Sequence, residues 1–268
     1  MIFKKYPSVS PVNELVAYYW TLEASESEEG GQFRFVPDGF VDWVFHIGKP
    51  WSYRFDGIDQ EKSYRTHILG HIKTYLDLNV PGAGFSLFGI KFYPWAARQI
   101  WQIGMHESTC AYIELSDIGL KEIAEFETRV LAADTARVRI GIADNFLLEK
   151  MGKVEVNNLK SVCTQLIHSD KKIIEENFPL SKRRIEQKFR EEIGISPKLF
   201  QRTFRINRLI KHLLANPDVD LTSIAYQFNY ADQSHFIHDF RKFTGYSPGS
   251  FLKNINPDGD IFNLRVVG

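Results

Sequence analysis

Two cysteines in 268 residues are too few for a cysteine-based zinc site or a disulfide framework, and in a reducing compartment Cys110 and Cys163 read as unpaired thiols. Charge of one sign is missing too. The 33 Lys+Arg balance 33 Asp+Glu and the pI is about 7.1, which excludes a uniformly basic coat for polyanions. No apolar run approaches the roughly 20 residues of a membrane span, and the start, MIFKKYP, has neither the apolar stretch nor the small-residue cleavage site of a signal peptide. A cytoplasmic protein with no membrane partner is expected. There is no Gly-x-Ser-x-Gly elbow, and Pro81-Gly82-Ala83-Gly84 continues neither as a dinucleotide fingerprint nor as Gly-Lys-Ser/Thr. Nothing calls for a cofactor, a catalytic residue or a metal, so an enzyme is the weaker class. What is present is 44% hydrophobic and 14% aromatic residues, the composition of one or two ordinary globular domains.

The balanced charge hides an uneven distribution. Between His168 and Asn256 there are 15 Lys/Arg against 10 Asp/Glu, a net +5; the other 179 residues hold 18 against 23, a net −5. Within the basic segment the chain repeats itself at an offset of 51 residues. Ile173-Ile174, Phe178, Ser181, Ile185, Phe189-Arg190, Gly194, Ser196-Pro197 and Phe200 overlay Ile224-Ala225, Asn229, Asp232, Phe236, Phe240-Arg241, Gly245, Ser247-Pro248 and Phe251. Each copy predicts a short helix (about Asp170 to Asn177; Leu221 to Phe228), a turn, and a second helix opened by an N-cap, Ser181 or Asp232. Ile185/Phe189 and Phe236/Phe240 lie four apart and anchor that second helix in a core. Gly194 and Gly245 stand where a left-handed stop is expected, and Ser-Pro then starts a further helix.

Helix, short turn, helix is the geometry that places a second helix in the major groove of double-stranded DNA. Facing away from the core on the two second helices are Lys182, Arg183, Glu186 and Gln187, then Gln233, Ser234, Ile237 and His238. Arg and Gln suit guanine and adenine edges. The alternative, two solvated amphipathic faces, is weakened by the fixed offset. A long helix, about Pro197 to Ala215, joins the units; Arg202, Arg205, Arg208 and Lys211 follow a three-residue spacing on it, and some are expected on phosphate while others are solvated or paired with Glu191, Glu192 or Asp218. The full set of phosphate candidates is Lys182, Arg184, Lys188, Arg190, Arg202, Arg205, Arg241 and Lys242.

Arg205-Ile206-Asn207-Arg208 through Leu213-Leu214, followed by Ile224-Ala225, Phe228-Asn229-Tyr230-Ala231-Asp232-Gln233-Ser234-His235-Phe236, Phe240-Arg241-Lys242 and Gly245-Tyr246-Ser247-Pro248, resembles the signature of the AraC/XylS transcription regulators over about 90 residues. The resemblance implies a seven-helix domain whose two helix-turn-helix units read successive major-groove segments, with RNA polymerase as a further candidate partner. Carried over by position, the base readers are Arg183, Glu186 and Gln187 in the first unit and Gln233, Ser234, Ile237 and His238 in the second. His235 and Asp232 shape the helix start. Two departures stand out: Phe178-Pro179-Leu180 replaces the usual glycine-containing turn, and Leu209 stands where a small residue is usual, so the first unit is expected to sit differently.

The N-terminal part changes character. Phe33-Arg34-Phe35, the turn Pro37-Asp38-Gly39 and the alternating Val41, Trp43, Phe45, Ile47 predict strands, as does Phe85 to Tyr93. Such strands with Gly/Pro turns suggest a barrel or sandwich. From Asp117 on, Leu120, Ile123, Ala124, Glu127, Val130 and Leu131 follow helical spacing, and Ala136 to Met151 continues as a second helix, packed on the barrel or on a second copy in a homodimer. Arg34 to Gly39 with Asp42-Trp43-Val44-Phe45, Leu69-Gly70-His71 and Gly89 to Pro94 resemble a cupin-like sensor domain of one branch of these regulators. This implies a small-molecule effector in the barrel mouth, with Trp43, Phe45, Tyr53, Phe92 and Trp95 as pocket candidates; that they are ordinary core aromatics stays open. Histidines 46, 67 and 71 are conceivable metal ligands, yet the His-x-His with a following Glu of metal-binding cupins is missing, and two cysteines cannot supply the zinc segment of the DNA-repair methyltransferases that carry a related domain.

The expectation is therefore a multi-domain α+β protein: residues 1–116 an all-β cupin-like barrel, 117–154 flanking linker or dimerisation helices, 155–256 an all-α domain with two helix-turn-helix units, and 257–268 a tail. The function expected is sequence-specific, effector-modulated DNA binding in transcription regulation. The competing reading is a metal-dependent cupin enzyme with an accessory helical domain.

Overall fold

The computed structural model describes residues 2–24, 31–48, 52–55, 58–60, 65–80, 84–151, 159–168, 181–254 and 263–265. The N-terminal part supplies strands β1 (Ile2–Pro7), β2 (Val16–Glu23), β3 (Gly31–Phe35), β4 (Val41–His46), β5 (Ser52–Phe55), β6 (Ile58–Gln60), β7 (Thr66–Leu69), β8 (Leu76–Val80), β9 (Ser86–Phe92) and β10 (Tyr112–Glu114), with the short helix α1 (Ala97–Trp101). They form two antiparallel sheets, β1-β2-β9-β4-β7-β10 and β11-β3-β8-β5-β6. The edge strand β11 (Asn263–Arg265) comes from the far end of the chain, so the expected tail returns to the barrel and pairs with β3, Leu264 opposite Arg34.

The centre of the six-stranded sheet is buried on both faces: every residue of β4 and β7 is buried. Period two sorts their side chains. Leu22, Val44, Leu69 and Leu87 meet Phe33, Leu76 and Leu78 of the other sheet. Trp43, Phe45, Ile68, Phe88, Ile90 and Phe92 point the other way, into a layer with Trp101 and with helices α3 (Lys121–Ala132) and α4 (Ala136–Met151), which follow the short α2 (Leu115–Ile118). The Trp43 ring lies 4.7 Å from Phe126 and 5.9 Å from Trp101; such aromatic pairs add about 0.5–1.5 kcal/mol each beyond their buried area. Tyr19 on β2 donates to Asp144 on α4 at 2.5 Å and fixes the helix layer to the sheet.

The register also locates the residues expected in the pocket. Trp43, Phe45 and Phe92 line the sheet–helix core, away from the space between the sheets, and Trp95 belongs to the same core, stacked on Tyr93 at 4.6 Å. Tyr53 sits on β5, opposite Leu78, and its side chain lies outside what the structure describes.

The C-terminal part comprises α5 (Leu159–His168), α6 (Lys182–Lys188) continued by a π turn over Phe189–Ile193, α7 (Pro197–Ala215), α8 (Leu221–Gln227), α9 (Gln233–Thr244) and α10 (Pro248–Asn254). The first helix expected in the first unit, about Asp170 to Asn177, and the turn Phe178-Pro179-Leu180 lie outside the described residues. The two parts share apolar cores. Ile185, Phe189, Ile193 and Phe200 join the cluster of Trp43 and Trp101, while Val36 of the barrel joins Ile206, Leu209, Phe236 and Phe240. No helix among the described residues is long and apolar enough to cross a membrane.

Candidate nucleic-acid interface

The second helix-turn-helix is built by caps. Asp220 accepts from the Ser223 amide at 2.8 Å and opens α8. Asn229 takes the left-handed conformation in the turn, φ 56°. Asp232 accepts from the His235 amide at 2.7 Å and opens α9, and Gly245, φ 77°, stops it. Phe236, Phe240 and Phe243 face the core. That leaves Ser234 and His238 exposed and Gln233 and Ile237 half-buried on the outer face, with Arg241 and Lys242 exposed one turn further on. The Thr222 hydroxyl donates to the Gln233 side-chain oxygen at 3.3 Å, holding that amide across the turn.

In the first unit Ser181 accepts from the Arg184 amide and starts α6. Lys182, Arg183, Arg184, Glu186, Gln187 and Arg190 are exposed, and Ile185, Phe189 and Ile193 are buried. Arg184 donates to Gln187 at 3.2 Å and Gln187 to Glu191 at 2.9 Å, so the Gln187 amide is held along the helix. Lys188 pairs with Glu192, 3.3 Å. The π turn ends at Gly194, φ 95°, whose carbonyl accepts from Thr109 of the barrel at 2.8 Å.

Two of the phosphate candidates on α7 are engaged inward. Arg202 and Arg205 both pair with Asp239, a carboxylate 1% exposed that also accepts from the Tyr230 hydroxyl at 3.0 Å. Arg205 lies 4.2 Å over the Tyr230 ring. Arg208 donates to the Ile167 carbonyl on α5, and Lys211 is exposed. Asp239 went unnoticed in the sequence. Its signal was an acidic residue on the apolar Phe236/Phe240/Phe243 face of α9, where a charge must find a cation. This knot joins the long helix α7 to α9.

The barrel holds the long helix as well. Asn207 donates to the Pro37 carbonyl at 3.0 Å, and the Phe40 and Phe204 rings meet edge-on at 5.9 Å. Gly39 has φ +84°, and a Cβ there would come within 2.5 Å of Phe204. Gly39→Ala therefore combines left-handed strain with a clash, and should lower stability by about 1–3 kcal/mol in urea unfolding.

Among the described residues, strand alternation turns the polar Asp42, His46, His67 and Lys91 toward the other sheet. Lys91 pairs with Asp38 and, at 2.8 Å, with Asp42, which also accepts from Trp20 at 2.9 Å. The His46 and His67 rings lie 5.3 Å apart. Among the described residues no group of three or more His, Cys, Asp or Glu is placed to hold a metal ion.

Comparison with known proteins assigns the two parts separately. Residues 176–254 match a helix-turn-helix domain, and residues 4–114 match a domain of unknown function, DUF6597. The stretch 176–254 is thus similar to helix-turn-helix domains. This domain carries both exposed helix faces described above. Among curated proteins, the HTH-type transcriptional activator RhaS of Salmonella arizonae is 26% identical over 156 residues, 57% of this chain and 53% of that protein. RhaS of Escherichia fergusonii is 32% identical over 75 residues, 28% of this chain and 27% of that protein. The chain thus spans about half the length of the first of these relatives and about a quarter of the second. Among solved structures, ToxT from Vibrio cholerae O395 overlays 94% of this chain and 97% of its own, at 12% identity and a TM-score of 0.42.

Proposed function

We propose that this protein is a sequence-specific DNA-binding transcription regulator whose N-terminal barrel takes up a small effector. The observation that carries the DNA reading is the pair of recognition helices, α6 and α9. Each is anchored by apolar residues in a core shared with the barrel and each presents an outward polar face. Arg183, Glu186 and Gln187 on α6, and Gln233, Ser234, Ile237 and His238 on α9, are the base readers of this reading. Lys182, Arg184, Lys188, Arg190, Arg241 and Lys242 are the phosphate contacts of this reading, whereas Arg202 and Arg205 serve the Asp239 knot first.

A selection over random duplexes with the full chain tests this. A motif in two parts is expected, with affinity falling in salt at a log-log slope of roughly −0.9 per phosphate contacted; a pool without enrichment overturns the reading. Gln233→Ala and His238→Ala should relax preference in one part only, by about 1–3 kcal/mol for a direct base contact. Arg241→Ala should weaken all sequences alike.

The effector reading rests on the polar groups buried between the sheets. A true ligand raises the unfolding temperature in proportion to RT ln(1 + [L]/Kd), so a thermal-shift screen of sugars, carboxylic acids and aromatic metabolites tests it. A screen without any shift argues for a barrel that serves only contacts with a second copy or with polymerase.

A further inference from the structure

Arg34 lies on β3 of the barrel, 210 residues from the end of the second recognition helix. Its guanidinium is bidentate to Asp77, directly opposite on β8, at 2.7 and 2.8 Å. It is stacked 3.9 Å over the Tyr75 ring and 4.8 Å from the ring of Tyr246, which belongs to the helix-turn-helix domain. Its third nitrogen donates to the Thr244 carbonyl, the last of α9, at 3.4 Å. Gly245 is bare where this happens: a Cβ there would collide with the guanidinium and meet Tyr75 at 2.9 Å. The returning strand β11 pairs with the Arg34 backbone from the other side.

We infer that Arg34 is a positioning residue for the second reading head, holding the C-terminal end of α9 so that the barrel sets how that helix meets DNA. Three properties of the contact carry this. A cation at the carbonyl end of a helix is favourable, and this one is fixed in direction by a bidentate carboxylate and two aromatic faces. The contact lies roughly 16 Å along the helix from Gln233 and about 9 Å from His238, at 1.5 Å per residue, so it sits at the far end of the helix from Gln233, Ser234, Ile237 and His238. The Arg202/Arg205–Asp239 knot then passes the fixed orientation of α9 to the long helix and on to α6. Two heads in one chain act as a bivalent binder, and holding the second in place removes an ordering cost from its engagement.

The proposal rests on the DNA-binding reading and is tested on the full chain with the duplex enriched by the wild type. Arg34→Ala should weaken binding to that duplex about tenfold, the loss expected when one of two linked heads must be ordered on binding. Arg34→Lys, which can neither bridge Asp77 in a fork nor stack as a plane, should fall in between. The loss should vanish on a duplex scrambled in the part whose preference Gln233→Ala relaxes, and persist when the other part is scrambled. Unchanged binding by Arg34→Ala, or an equal loss on both scrambled duplexes, overturns the proposal while leaving the DNA reading intact. A wild type that enriches no duplex ends the DNA reading instead. In that event amide exchange decides the latch: Arg34→Ala and Asp77→Asn should speed exchange at Phe243 to Tyr246 and leave Ile224 to Phe228 unchanged, and equal exchange in wild type and variants overturns it.

Discussion

Lys91→Met should destabilise the protein by about 3–5 kcal/mol, the cost of removing one partner from a buried ion cluster. Asp38, Asp42 and Lys91 have side chains no more than 5% exposed. Burial opposes the Lys91 charge, but the two carboxylates outweigh it and hold the ammonium well above its ordinary range; burial pushes the Asp42 carboxyl up against the pull of Lys91. Methionine keeps the length and the packing, so the loss is electrostatic. Two carboxylates would then face each other in a dry sheet interior, with the Trp20 indole and the Phe40 amide as their remaining donors. The damage should also spread. Asp38 belongs to the turn whose Pro37 carbonyl accepts from Asn207 and whose Gly39 packs on Phe204, so the contact between barrel and long helix should loosen with it. Urea unfolding gives the magnitude through the midpoint at unchanged slope. Adding Asp38→Asn and Asp42→Asn to Lys91→Met should recover part of it, because neutral amides carry a smaller desolvation cost than carboxylates. A loss below 1 kcal/mol would mean that water reaches the cluster.

The helix-turn-helix domain was the legible part of the chain because its signals are local. Pro197 and Asn216-Pro217 bracket α7, Ser181 and Asp232 cap the recognition helices, and Gly245 stops α9, all where capping chemistry predicts. The alternation of Val41, Trp43 and Phe45 also announced β4 correctly. It could not say which way that strand faces. In a sheet covered on both sides the apolar parity need not be the barrel interior, and here the aromatic face looks at α3 and α4 while Asp42, Val44 and His46 look at the other sheet. That is why aromatic content alone does not say which of the two layers a side chain joins. Long-range ties left the weakest traces: β11 on β3, Arg34 on Thr244 and Asp239 between two arginines join residues 34 to 232 positions apart, and no periodicity encodes them. The π turn after Lys188 likewise has no sequence cue among Phe189-Arg190-Glu191-Glu192-Ile193.

Acidification from pH 7 to pH 5 should cost this protein roughly 4 kcal/mol of stability through His46 and His71 alone, about 2 kcal/mol each. Burial pushes both rings down to about 4, against the ordinary value of 6.5; for His71 a nearby Asp38 carboxylate opposes the shift without reversing it. His67 is also held well below its ordinary value by burial and by its neighbour His46. Unfolding releases these rings into water, where they take up protons near pH 6.5 that the folded state refuses until pH 4. The unfolded state therefore binds more protons throughout that interval, and stability, full above pH 6.5, falls as the pH drops through it. The window separates these residues from carboxylates with depressed values, whose contribution fades only below about pH 4. Urea midpoints at pH 7.5, 6 and 5 give the slope, and His71→Gln should flatten it, since a neutral amide binds no proton in either state. A profile level between pH 7.5 and pH 5 would require the rings to find water or a carboxylate in the folded protein. For His46, whose ring faces the other sheet, water in the folded state would enter the space read above as the effector site.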